Sequence, residues 1–213
     1  MNLFRQISLA LALALFLTGA SCQKVKDLSQ EFNPSKKPDQ AAYEKAIEPY
    51  LAQGAVYQGP VVELMVTALP LAAQVRRAMA DREAQAFGLS EKERAKKQAD
   101  QEAALKRGLE VAVSVYVPEK KWNDLAGPKP DWQLYLENAR GQRITPADRR
   151  LIKERTALRE YLYPFWGPWS KLYRFRFELN GPDGRPMLDA ADQSVSLLIV
   201  GAPGGVRLKL RFN

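Results

Sequence analysis

The residue types able to do covalent or acid–base chemistry are few in this chain. Its 213 residues contain no histidine and a single cysteine, Cys22. A Ser-His-Asp triad, an imidazole general base and a histidine-bearing zinc site are therefore excluded, as is any disulfide within the chain. Carboxylate pairs, Ser-Lys dyads and tyrosine stay open as catalytic groups, but no spacing of these residues marks out a catalytic set. The glycine-rich stretch "GAPGG" at 201–205 lacks the lysine of a phosphate-binding loop and lies between strand-like segments, so it reads as a hairpin turn. Asn123 and Asp124, within "PEKKWNDLAGPKPDW", are not followed by the spaced oxygen ligands of a calcium loop and read as turn caps. No catalytic residue, metal ligand or cofactor is expected.

The densest concentration of potential contact chemistry is aromatic. In "YLYPFWGPWSKLY", residues 161–173, Tyr161, Tyr163, Phe165, Trp166 and Trp169 surround Pro164, Gly167 and Pro168. Prolines and glycine keep the backbone out of a regular element, so the rings cannot all enter one layer and some are expected at the surface. Beside Lys171 and Arg174, such rings can stack on sugars, grip a peptide or enter a lipid headgroup region. The competing use is a plug at the end of the folded body. Phe165, Trp166, Trp169, Lys171 and Arg174 form the candidate binding surface.

Cys22 raises a different question, because it follows directly on an export signal. A free amine and Arg5 precede the apolar run "ISLALALALFL", residues 7–17, and small residues come next. The run is shorter than the roughly 20 apolar residues of a membrane span. With Ala20 and Ser21 in front of it, Cys22 resembles the lipid-acceptor cysteine of bacterial lipoproteins, although Gly19 stands where that family prefers a branched aliphatic residue. The resemblance implies cleavage before Cys22, a diacylglyceryl group on its sulfur and an acylated amine. Gln23, in place of the Asp that tends to retain such proteins at the inner membrane, implies the periplasmic face of the outer membrane. Ordinary signal cleavage after Ala20 or Ser21, leaving a soluble secreted or periplasmic protein, is the alternative, and an uncleaved signal is the third. A thioether also removes the liability of an unpaired thiol in an oxidising compartment. The 118–132 loop and the aromatic stretch are similar to those of a group of uncharacterised bacterial lipoproteins, a resemblance that brings no activity with it.

The net charge of +8 and pI near 9.6 are spread over mixed acidic and basic residues, with no dense Lys/Arg block. Nucleic acid is thus not an expected partner. Lipid headgroups and envelope glycans are the nearer polyanions for an exported chain.

The elements that must position these residues follow from periodicity. Residues 1–21 read as signal peptide and 22–38, polar with two prolines, as a flexible tether. The remaining 39–213 form a single domain. Asp39 is a candidate N-cap for a helix that carries Tyr43, Ile47 and Leu51 on one face and runs to Gly54, with Pro49 kinking it. A strand follows at 55–69, buried on both faces and interrupted near its start by Gly59 and Pro60. The segment 70–108 predicts a helical hairpin: Leu71, Val75, Met79 and Ala86 line the first helix, with Pro70 in its first turn and Gly88 at its end, and Ser90 with Glu93 forms a capping box on a mostly solvated second. Packing as a lid on the sheet is one use of that hairpin, and projecting to a partner protein the other.

Strand signals then dominate. Val111, Val113, Val115 and Val117 alternate with Glu110, Ala112, Ser114 and Tyr116. Trp132, Leu134 and Leu136 repeat the pattern, as do Tyr173, Phe175 and Phe177 against Arg174 and Arg176. "SVSLLIV" and "VRLKLRF" read as a closing hairpin. The segment 144–163 is ambiguous between a helix starting near Thr145, Pro146 and Asp148 and a short strand through Leu151 and Ile152. About six or seven such strands predict a mostly β fold, an antiparallel immunoglobulin-like β-sandwich with the helical hairpin inserted. The functional expectation is a membrane-anchored, non-catalytic envelope lipoprotein that binds a protein or glycan partner or serves a structural role. A carboxylate-dependent hydrolase or transferase acting on envelope polymers is the alternative.

Overall fold

The computed structural model describes residues 39–188 and 193–213. The expected signal, Cys22 and the tether lie outside the described residues. From Asp39 onward the chain forms one compact unit, mostly β, with two antiparallel sheets and a few helices, an architecture that fits a β-sandwich.

Helix α1, Gln40–Ile47, starts as expected: the Asp39 side chain accepts the Ala42 N–H at 3.0 Å, and Tyr43 and Ile47 are buried. It ends earlier than the periodicity predicts. Pro49 has no N–H to continue the ladder, so Glu48–Tyr50 tightens into a 3-10 turn. Strand β1 then begins at Ala52 and runs to Gln58. The single strand expected over 55–69 is a hairpin instead, since Gly59 and Pro60 reverse the chain and β2, Val61–Pro70, returns along β1 from Val61↔Gln58 to Ala68↔Ala52. Pro70 closes β2 rather than opening a helix.

Helices α2, Ala73–Phe87, and α3, Glu91–Leu105, occupy the chain between β2 and β3, Leu109–Tyr116. The two strands pair directly, Met65↔Tyr116 through Pro70↔Val111. The helices are linked by Lys97 to Glu83 at 2.5 Å and by Arg76 to Gln101 at 2.9 Å. The Ser90/Glu93 capping box forms, and Ala104 is the buried residue of α3. In α2 the buried side chains are Val75, Met79, Ala80 and Ala84 with two arginines, Arg76 and Arg82; Ala86, expected on that stripe, is exposed. Because α2 lies against the outer face of β3, that strand is buried on both faces despite its strict alternation.

The remaining strands are β4, Gln133–Glu137; β5, Arg143–Ile144; β6, Asp148–Ile152; β7, Lys171–Phe177; β8, Ser194–Gly201; and β9, Gly204–Arg211. The ambiguous 144–163 segment resolves as a strand through Leu151 and Ile152. Helix α4, Ala157–Leu162, begins only after Thr156, whose hydroxyl accepts the Arg159 N–H. The count of nine strands among the described residues exceeds the six or seven expected because the 55–69 segment splits and β5 and β6 are short. One sheet has the order β1-β2-β3-β7-β6, the other β5-β4-β8-β9. Their facing sides share one core, with Val111, Val113, Phe175 and Phe177 from the first and Leu134, Leu136, Leu197, Ile199 and Leu210 from the second. Each fully buried side chain of this size stabilises by about 1.5–3 kcal/mol. β9 crosses so near β1 that a Cβ on Gly54 would lie 2.5 Å from Val206 Cγ2, which is why glycine stands there.

Gly108 joins α3 to β3 at φ +148°, and a Cβ there would collide with the Phe177 carbonyl oxygen. Gly108→Ala is expected to cost about 2 kcal/mol or more, from backbone strain and the displaced β3–β7 ladder. The shift of the urea unfolding midpoint measures it.

Candidate functional site

Alternation divides each strand of the five-stranded sheet between the core and the outer face. Register then decides which outer residues meet: Gln53 and Ala55 of β1 lie beside Thr67 and Met65 of β2, which lie beside Ser114 and Tyr116 of β3. Toward Leu69 and Glu110 this face is covered by α2. Toward Met65 and Tyr116 it is open, and these six residues form the floor of a cleft of about 560 Å³, within the roughly 300–1,000 Å³ of ligand sites.

The wall is the aromatic segment that follows α4. Tight turns fold it, with Trp166 N–H donating to the Tyr163 carbonyl at 2.8 Å and Ser170 N–H to that of Gly167 at 3.1 Å. Arg155 clamps it from outside, donating to the carbonyls of Trp166 and Gly167 at 2.8 and 2.9 Å with its guanidinium 4.4 Å from the Trp166 ring centre. Phe165, Pro168, Trp169 and Ser170 therefore face the floor. Trp169 stands at the rim, 79% exposed, and Met65 opposite is 48% exposed. Among the described residues no charged side chain lines this cleft. Its polar groups are the hydroxyls of Thr67, Ser114, Tyr116 and Ser170 and the Gln53 amide.

The five residues of the expected binding surface are distributed over four places. Phe165 and Trp169 come together in the cleft; Phe165 also meets Tyr163 edge-on at 6.1 Å. Trp166 is half-buried behind the wall, its indole N–H donating to the Ser170 carbonyl at 2.9 Å, so it braces the segment. Lys171 points to the other face of β7 and donates to the Asn123 carbonyl. Arg174 lies on the outer face but beyond the cleft, paired with Glu110 at 2.5 Å. Asn123 does more than cap a turn. It is 2% exposed, donates to the Val115 carbonyl at 2.9 Å and receives the Tyr173 hydroxyl, whose pKa burial pushes up so that it stays a neutral donor.

The floor residues Met65, Thr67, Ser114 and Tyr116 were visible in the sequence only as strand faces. Their convergence depends on the β2–β3 register, which the intervening 73–105 helices hide. Among the described residues no group of three or more Cys, Asp or Glu is placed to hold a metal ion, and no helix is long and apolar enough to cross a membrane. No protein-family model, curated protein or solved structure matches the chain.

Proposed function

We propose that the chain is a non-catalytic protein of the bacterial envelope, held by lipid on Cys22 at the periplasmic face of the outer membrane, that binds an uncharged glycan in the cleft under Trp169. The observation that carries this reading is a cleft whose described lining residues carry no charge, with an indole left 79% exposed at its rim. Such a ring is an apolar surface held ready for a flat apolar partner, and the face of a sugar ring is one. Hydroxyl and amide groups on the floor suit sugar hydroxyls, whereas a charged peptide would find no counter-ion there. A glycoside hydrolase needs two carboxylates about 5–10 Å apart across its cleft, and the lining residues include none, which favours binding over the hydrolase or transferase alternative. In the same reading the body is an immunoglobulin-like sandwich and the 73–105 helix pair an insertion. The direct pairing of β2 with β3 supports this, since the helices take the place of a turn.

The test is calorimetric titration of the full chain carrying Cys22→Ser with an N-acetylglucosamine tetramer, an uncharged probe. Saturable binding is expected, weakened at least about tenfold by Trp169→Ala, with the unfolding midpoint unchanged because the ring is exposed. Affinity indifferent to Trp169→Ala, or a cleft that takes only an envelope protein, would refute the glycan reading.

A further inference from the structure

At the other end of the same sheet face lies a second recess, and its chemistry is opposite in kind. About 240 Å³ in volume, it is lined by six residues, all charged: Arg107, Glu110, Asp148, Arg150, Arg174 and Arg176. We infer that this recess is a binding site for a phosphate-type dianion.

Three observations support it. The first is charge. Glu110 is shared between Arg174 at 2.5 Å and the buried Arg76 at 3.1 Å, Asp148 holds Arg150 at 2.7 Å, and Arg176 meets Glu178 at 3.3 Å. The Arg107 side chain makes no ion pair or hydrogen bond among the described residues, only its carbonyl accepting from Arg176 at 3.2 Å. Five guanidinium groups thus meet three carboxylates, leaving an excess of two positive charges. The second is register. Arg150 and Arg174 stand directly opposite each other on β6 and β7, with both side chains on the outer face, a like-charge cross-strand pair of the kind that destabilises a sheet unless an anion lies between. The third is shape and size. Four arginines line a space below the usual volume of a drug-sized site, and arginine forks match the oxygen atoms of a phosphoryl group, which they hold bidentately.

The shared chemistry is a phosphate, and it has two sources: a soluble phosphate or phosphoester, and the headgroup of an anionic lipid. Both are tested on the full chain carrying Cys22→Ser, with and without Arg107→Gln/Arg150→Gln. One arm titrates inorganic phosphate at low salt; the other measures co-sedimentation with vesicles of phosphatidylcholine alone or with one-third phosphatidylglycerol. Phosphate binding that weakens at least about tenfold in the double variant identifies a soluble ligand. A preference for phosphatidylglycerol that the double variant loses, without affinity for free phosphate, identifies a lipid headgroup. Either result is expected to fade with rising salt. Arg150→Lys, keeping the charge without the fork, should restore only part of the affinity. Since both arginines are solvated, the unfolding midpoint of the double variant should be unchanged or raised by relief of the Arg150/Arg174 repulsion. Indifference of both arms to the double variant, or a lowered midpoint that makes Arg150 a structural residue, would overturn the assignment.

Discussion

Serine in place of Cys22 is expected to abolish all incorporation of labelled palmitate when the protein is made in a bacterial host that processes lipoproteins. A hydroxyl cannot replace the thiolate that takes up the diacylglyceryl group, and the chain has no second cysteine. The effect is all-or-none in label. Its consequence for location is nearly as large, because each buried methylene adds about 0.8 kcal/mol to membrane affinity and more than one acyl chain makes attachment effectively permanent. Unchanged labelling of the serine variant would defeat the lipid anchor while leaving the cleft untouched.

The largest loss of stability is expected from Glu110→Ala. Arg76 of α2 is 2% exposed, with Nε donating to the Leu71 carbonyl and Nη1 to Gln101, both at 2.9 Å. Its Nη2 is buried with no aligned hydrogen bond, and the 3.1 Å approach of Glu110 is what neutralises it. Burial pushes the guanidinium pKa below its usual value, and Glu110 opposes that shift. Removing the carboxylate strands a positive charge in the body, which costs about 3–5 kcal/mol against a total of about 5–15 for a domain of this kind. Arg174, more exposed, can turn to water; Arg76 cannot. Urea is the denaturant to use, since guanidinium salts screen the charge being tested. Adding Arg76→Met to Glu110→Ala should recover much of the loss, because the stranded charge goes with it. A loss under 1 kcal/mol for Glu110→Ala alone would mean that water reaches Arg76 and that α2 is not seated as described.

What the sequence could convey about this fold divides by range. Local signals were legible: the Asp39 cap, the Ser90/Glu93 box and the alternation in β3 and β7 depend on residues within one element, and the β8–β9 hairpin on two adjacent strands and the tight turn between them. Sequence and structure part where a residue type serves two ends. Gly59 and Pro60 mark equally a bulge and a reversal, and only the pairing of β1 with β2 selects the reversal. Pro70 suits a helix start as well as a strand end, and the β3 ladder at Val111 holds it in the strand. Burial on both faces of β3 could not be read from its period, because the second covering layer is a helix contributed by a separate segment. The candidate site shows the same limit. The aromatic segment stood out by composition, but the separation of Trp169 in the cleft from Trp166 behind it depends on Arg155. The division of Lys171 from Arg174 follows from the alternation of β7, which sends Lys171 to the same side as Tyr173 and Phe175 and Arg174 to the outer face. Arg150 and Arg107 carried no signal at all, since nothing local announces that two distant arginines will share a recess with Arg174.

The four tryptophans allow the central claim, an uncharged glycan bound beneath an exposed indole, to be observed residue by residue. In ¹H–¹⁵N spectra of the Cys22→Ser chain the four indole N–H signals, assigned by single substitution, are followed as the N-acetylglucosamine tetramer is added. The Trp169 signal should move saturably while that of the buried Trp132 stays fixed. A stationary Trp169 signal at saturating sugar would contradict the account.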